Sequence, residues 1–292
     1  MPKTSTFTQL TSYSVKVIQG DLPLILTVPH GGYNLPETIP NRTQGHLLTD
    51  VYTNELAHLI SSFIQNHYNA APYMVILNVS RKKVDVNRPI DIGTESPEGR
   101  IIWNEYHTAL RDTIQTVKNT FSEVLLLDIH GQAHKEGMVE LGYLLPRTVL
   151  EQDTIPIETI LKQSSIQRLA KRILLSPLSR TLNSDAAIQS LLRGNISFGS
   201  NMMTTRHDDI KVIPSKQYPS PSKNALYFTG GYTTQTYCLQ LDIIQIECPQ
   251  HLRFSEVGRQ SLATAVTKAS IVFLDQFYLD ISKFKYQHQP KL

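Results

Sequence analysis

With 292 residues, 40% of them hydrophobic and 18% charged, the chain is long enough for one large α/β domain or two small ones with a substantial core. Its net charge of +3 is scattered and forms no basic stripe interleaved with aromatics, which argues against a nucleic-acid partner. No apolar run approaches the roughly 20 residues that span a bilayer, the N-terminus lacks the basic-then-apolar layout of a secretory leader, and Cys238 and Cys248 form no CxxC pair. A cytoplasmic chain with reduced structural thiols and no membrane partner is expected.

In chain order, Ser14–Gln19 alternates like a half-buried strand and is followed by a turn at Gly20-Asp21. Leu24–Val28 reads as a buried strand and ends in Pro29-His30-Gly31-Gly32. That is poor strand material, so His30 should stand on a tight loop where the backbone can approach a ligand closely. Residues 34–45, rich in Pro, Asn and Thr, read as an ordered loop. A helix is expected from about Thr49-Asp50, with Thr49 as N-cap and Leu56, Leu59, Ile60 and Phe63 at helical spacing. Asp50 is then either a helix-dipole residue or a metal ligand.

Tyr73–Leu77 is the next strand and leads into Ser80-Arg-Lys-Lys-Val-Asp-Val-Asn-Arg-Pro89, the most concentrated polar patch. A guanidinium is a planar fork for a carboxylate and an amide beside it adds a donor, so the patch suits an anionic small substrate. It also reads as a solvated loop with internal salt bridges. A helix follows over 98–120, with Ile101, Ile102, Tyr106, Leu110 and Ile114 as its stripe and Trp103 as a packing residue.

Val124-Leu-Leu-Leu-Asp-Ile-His-Gly-Gln132 is the stretch around which the rest is organised. Its apolar run reads as a strand buried on both faces, as in a parallel sheet covered by helices. Asp128 and His130, at i and i+2, share a face at the carboxyl edge, where ligands of open α/β sheets bind. The pair is either a satisfied core histidine or part of a site. Leu141–Leu145 is a short apolar run, 157–192 reads as two helices broken around Ser176-Pro177, and 195–218 is loop-rich. Within it, Arg206-His207-Asp208-Asp209 is an exposed charged loop or a substrate contact, and Pro219–Lys223 is a rim segment. Tyr227–Thr234 carries a glycine pair, and Leu241–Glu247 is the last strand, with Leu241, Ile243, Gln245 and Glu247 on one face. Glu247 is a surface glutamate at a strand end or a carboxylate entering a cleft. A closing helix is expected over 256–278.

Two strand-end His-Gly corners, spare carboxylates, an Asn-Arg patch and Glu247 are the parts of a mononuclear zinc hydrolase. Such a site needs three N/O ligands, an open position, and a carboxylate that takes a proton from water. HExxH, a GxSxG elbow and a Walker A loop are all missing from the sequence.

The ordered series Val28-Pro-His-Gly-Gly32, Asp50-Val-Tyr-Thr-Asn-Glu-Leu56, Ser80-Arg-Lys-Lys-Val-Asp-Val-Asn-Arg88, Leu127-Asp-Ile-His-Gly131, Phe228-Thr-Gly-Gly-Tyr232 and Ile244-Gln-Ile-Glu247 resembles the N-formylglutamate amidohydrolase family, over residues 24–253. That family is related in fold to the zinc carboxypeptidases. The resemblance therefore implies one catalytic domain over residues 1–292, a three-layer α/β/α fold with a mixed central sheet, and one zinc ion per chain at the carboxyl edge. It implies His30 and His130 as metal ligands and Glu247 as general base. Val84-Asp-Val-Asn-Arg88 is similar to the segment with which carboxypeptidases hold a substrate carboxylate, so Asn87 and Arg88, with Arg81, are implied anchors. His30-Gly-Gly-Tyr33 lacks the acidic residue three positions on that carboxypeptidases use, and the family pattern points instead to Asp50, with Glu37 as competitor. Asp128 then orients a ligand by hydrogen bonding. Tyr232–Tyr237 lacks an arginine or histidine to grip substrate, which leaves formylglutamate specificity open, while Arg81-Lys-Lys83 favours an acidic small molecule. The implied activity is hydrolysis of an N-formyl or N-acyl amide of a small carboxylate-bearing substrate. The alternatives are a carboxypeptidase-like peptidase and a non-catalytic binding protein of the same fold.

Overall fold

The structure is a computed structural model that describes residues 9–11, 13–177, 183–203 and 210–280. Its centre is a mixed sheet whose strands, in chain order, are β1 (Gln9–Thr11), β2 (Val15–Ile18), β3 (Leu24–Val28), β4 (Tyr73–Leu77), β5 (Leu125–Gln132), β6 (Val139–Gly142), β7 (Val212–Ile213) and β8 (Asp242–Pro249). They lie in the order β1-β2-β4-β3-β5-β8-β6-β7. The core β4-β3-β5-β8 is parallel, while β2 joins β4 and β6 joins β8 antiparallel. Every residue of β3, β4 and β8 is buried, which is why β3 and β4 are nearly continuous apolar runs, while the buried polar residues of β8, Asp242, Gln245 and Glu247, each have a hydrogen-bond partner.

Alternation survives as a choice between two cores. Leu24, Leu26 and Val28 of β3, with Leu125, Leu127 and Ile129 of β5, face α1 (Thr53–Tyr68) and the C-terminal helix Glu256–Phe273. Ile25, Leu126 and Ile243 face the opposite layer, which is α3 (Pro97–Thr120), preceded by the single turn α2 (Ile90–Gly93). On α3, Trp103, Tyr106, Leu110, Ile114 and Val117 are buried at helical spacing, each full burial of such a side chain contributing about 1.5–3 kcal/mol. Ser96 caps α3 by accepting from Gly99 N–H at 3.0 Å, and Pro97 opens it.

From β3 the chain crosses through α1 to β4 on one side, then through α3 back past β3 to β5 on the other. The order therefore reverses between β3 and β5, and the carboxyl ends of these two strands are where ligands of open α/β sheets bind. His30 follows β3 and His130 lies near the end of β5.

Several elements differ from the sequence expectation. α1 starts at Thr53, not Thr49, and its N-cap position is Tyr52 in the left-handed region (φ 68°) without a side-chain cap. Asp50 serves the sheet edge instead: its N–H donates to the His30 carbonyl at 3.0 Å and its Oδ2 accepts from Gly131 N–H at 3.0 Å. Leu141–Leu145 is shifted to β6, held by antiparallel pairing with β8. Residues 157–192 divide at Ser164 as well as near Ser176, giving Ile157–Gln163, Gln167–Leu175 and Ser184–Arg193, because Ser165 is drawn to β8 by its Oγ–H donating to the Ile243 carbonyl at 2.6 Å. Residues 195–218 hold a helix, Phe198–Met203, and β7, and the Arg206-His207-Asp208-Asp209 cluster lies outside the described residues. The closing helix passes into a π-helical turn at Leu274–Tyr278. Cys238 and Cys248 are free and buried. Among the described residues, no helix is long and apolar enough to cross a membrane.

Candidate metal centre

Parity along β5 and β8 turns Asp128, His130, Gln245 and Glu247 towards the α3 layer, where the apolar face of the sheet gives way to polar side chains at the carboxyl edge. Register aligns His130 of β5 with Glu247 of β8, and Glu247 with Glu140 of β6. His30 enters from the β3 corner. Gly31 and Gly32 beside it meet Thr53, Asn54 and the Asn78 backbone so closely that a Cβ would not fit. Asp50 enters from the loop before α1.

These residues converge: one ligand atom each from His30, Asp50 and His130 lies within 4.8 Å of the others. Asp50 Oδ2 is 3.4 Å from His30 Nδ1 and 3.5 Å from His130 Nδ1. The far side of each ring is held by a carboxylate. His30 Nε2 lies 2.7 Å from Asp85 Oδ1, and His130 Nε2 lies 3.0 Å from Asp128 Oδ2. A carboxylate can only accept, so each Nε2 carries hydrogen, while each Nδ1 faces the Asp50 carboxylate and, once deprotonated, would offer its lone pair to a metal ion held between them. Among the described residues, His30 Nδ1 is buried without a hydrogen-bond partner. A buried ring nitrogen without a hydrogen-bond partner, beside a second imidazole nitrogen and a carboxylate, fits a zinc-type N/N/O donor set. Glu37 is exposed and outside this group.

Burial opposes charge on Asp50, yet the imidazoles of His130 and His30 hold its pKa well below the usual carboxylate range. Glu247 moves the other way. Burial raises its pKa to about 7, His130 opposing and Asp50 and Glu140 adding to the rise. A carboxylate near neutrality is matched to giving and taking a proton at physiological pH. Gln245 fixes it, its Nε2–H donating to Glu247 Oε1 at 2.8 Å while its Oε1 accepts from Gly231 N–H at 2.6 Å.

The polar patch after β4 divides. Arg81 is buried, its Nε donating to Asp85 Oδ2 at 2.9 Å and its Nη1 lying 3.7 Å from Asp50 Oδ1. Asn87 is buried too, accepting from Thr233 N–H at 2.9 Å with its Nδ2 3.4 Å from His130 Nε2. Arg88 is exposed, and its carbonyl accepts from Trp103 Nε1 at 2.9 Å.

Asp85, Gln245 and Glu140 carry parts of this arrangement that sequence reasoning assigned no role. Asp85 gave no helical i,i+4 signal, because its bond to Arg81 is made across a turn rather than along a helix. Glu140 gave none either. Its partners are His134 Nδ1 at 2.7 Å and Phe228 N–H at 2.8 Å, and its place beside Glu247 depends on strand pairing alone.

No protein-family model matches the chain, and no curated protein does. Among solved structures, the chain is similar to the N-formylglutamate amidohydrolase from Ralstonia eutropha JMP134, with 14% identity, 89% of this chain and 98% of that one covered, and a TM-score of 0.49. The gene product Atu2144 from Agrobacterium tumefaciens matches with 12% identity, 90% and 96% coverage and a TM-score of 0.48. The succinylglutamate desuccinylase from Chromobacterium violaceum matches with 13% identity, 92% and 68% coverage and a TM-score of 0.39. The first of these carries the name of the family that the motif series resembles.

Proposed function

We propose that the chain is one metal-dependent amide hydrolase domain, acting on an N-formyl- or N-acyl-amino-acid-like substrate that bears a carboxylate. The observation that carries this reading is the convergence of His30 Nδ1, His130 Nδ1 and Asp50 Oδ2, with the first of them buried and unpartnered. His30, Asp50 and His130 would hold one zinc ion, with Asp85 and Asp128 fixing the two rings from behind. A zinc ion in such a set polarises a carbonyl oxygen and lowers the pKa of a coordinated water to about 7.

Glu247 is the base in this reading. Held on one oxygen by Gln245, it takes a proton from the water that attacks the amide carbon. When the C–N bond breaks it passes that proton to the leaving nitrogen, so amide and water become acid and amine. Arg88, exposed on the loop after Asn87, takes the substrate carboxylate, and Arg81 and Asn87 shape the same corner.

The test is zinc content by mass spectrometry, with turnover of N-formyl-L-glutamate, other N-acyl amino acids and C-terminal dipeptides. One zinc per chain, lost in His130→Ala, is expected. Glu247→Gln should keep the zinc and lose about 10²–10⁴-fold in turnover. A protein that holds no stoichiometric zinc even after it is added back would sink the reading, and unchanged turnover in Glu247→Gln would remove Glu247 as base.

A further inference from the structure

Arg253 lies in the short helix Gln250–Phe254 that follows β8 and is 4% exposed. A guanidinium this buried is ordinarily paired with a carboxylate. Among the described residues Arg253 bonds main-chain carbonyls instead. Its Nε donates to Cys248 O at 2.9 Å, its Nη1 to Val51 O, and its Nη2 to Gln132 O at 3.4 Å. Val51 follows Asp50, Gln132 is two residues beyond His130, and Cys248 follows Glu247. One planar fork thus ties together three segments, each carrying a residue of the candidate centre.

Two further features depend on this fork. Gly131 packs so close to the guanidinium that a Cβ there would overlap it, while the Gly131 N–H donates to Asp50 Oδ2 at 3.0 Å. Tyr52, next to Val51, has φ 68°, a conformation that a bulky residue keeps only when its surroundings enforce it. Its ring sits 5.4 Å from the Phe254 ring, and the Arg259 guanidinium lies 4.4 Å over it. Arg259 Nη1 also donates to the Arg253 carbonyl at 2.7 Å, bracing the helix that carries the fork.

We infer that Arg253 is a positioning residue that sets the spacing of Asp50, His130 and Glu247 through their main chain, touching neither metal nor substrate. This rests on the metal-centre reading above. Charge and geometry predict opposite outcomes when it is removed. Arg253 is a cation near a cation site, so by electrostatics alone its loss would tighten zinc binding. If it positions the ligands, its loss weakens zinc binding, by the 10–100-fold typical of removing an outer support.

The experiment measures zinc affinity by chelator competition for wild type, Arg253→Met, Arg253→Lys and Gly131→Ala, with thermal unfolding of each metal-free protein. Arg253→Met is expected to bind about 10–100-fold more weakly. Arg253→Lys, a single-point donor in place of a fork, should fall between it and wild type. Gly131→Ala, which displaces the arginine but also adjoins His130 and the Gly131 N–H bond to Asp50, should weaken binding in the same direction, and Arg253→Lys carries the test if Arg253→Met does not fold. Equal or tighter zinc binding in the folded variants, with lower melting temperatures, would make Arg253 a stability anchor only and overturn the inference. Wild type that binds no zinc would bring down the hydrolase reading and this inference with it, a result distinct from equal affinity in wild type and variants.

Discussion

Asp85→Asn probes whether the His30 imidazole is held for metal binding from behind. The Asp85 carboxylate accepts from His30 Nε2 at 2.7 Å, from Asn87 N–H at 3.0 Å and from Arg81 Nε at 2.9 Å. Burial opposes its charge, but His30 and Arg81 hold its pKa far below the usual range, so it is ionised at neutral pH. Asparagine has nearly the same shape but only one acceptor oxygen. It can serve His30 or Arg81, and its NH2 group then faces the other donor. Arg81 Nη1 is already 3.7 Å from Asp50 Oδ1, so the released guanidinium should turn to Asp50 and compete with the proposed metal ion for that carboxylate. Losing the support behind a ligating histidine costs about 10–100-fold in affinity, or about 1.4–2.7 kcal/mol, and the competition at Asp50 places the expected effect towards the upper end. Chelator competition with zinc on the folded variant measures it directly. An Asp85→Asn protein that binds zinc as tightly as wild type would refute the argument.

His107, which is not one of the proposed metal ligands, is a site of acid sensitivity. It is buried, with Nε2–H donating to Val86 O at 2.9 Å and Nδ1 accepting from Tyr237 O–H at 2.9 Å, and burial lowers its pKa from 6.5 to about 4. A depressed histidine pKa contributes stability that is full above 6.5 and is lost as pH falls through about 4. The contribution is about 3 kcal/mol at most. Asp242, raised to about 6 by burial, acts the opposite way, its stability full below 3.8 and lost as pH rises through about 6. Denaturant unfolding from pH 7 to pH 4 should therefore show His107→Asn losing less stability than wild type, and identical pH slopes would refute the assignment. Gly231→Ala places a methyl group against the Asn87 amide and should cost about 1–3 kcal/mol by overpacking. It should also lower turnover through the Gly231–Gln245–Glu247 chain, and unchanged stability would show that the loop yields freely.

The sequence by itself determined the local pieces. Apolar runs at 24–28, 73–77 and 124–127 mark buried strands because a strand covered on both faces has no polar positions to alternate with. The helical stripe of α3 follows from 3.6-residue periodicity, and the two His-Gly corners stand out because glycine after a strand admits close backbone approach. The series from Val28 to Glu247 carried the resemblance and with it the choice of His30, Asp50 and His130. Tertiary structure decided what those pieces meet. The start of α1 moved from Thr49 to Thr53 because Asp50 is bonded to the His30 carbonyl and to Gly131, partners that local propensity does not register. Asp85 stands behind His30 from 55 residues away, and Glu140 reaches Glu247 only through the antiparallel pairing of β6 and β8. Arg253 reads as an ordinary charge after a strand until folding brings the carbonyls of Val51, Gln132 and Cys248 to its guanidinium. Periodicity specifies which face of an element a side chain takes. Register and crossover order specify which faces come together, and they arise from the packing of the whole sheet.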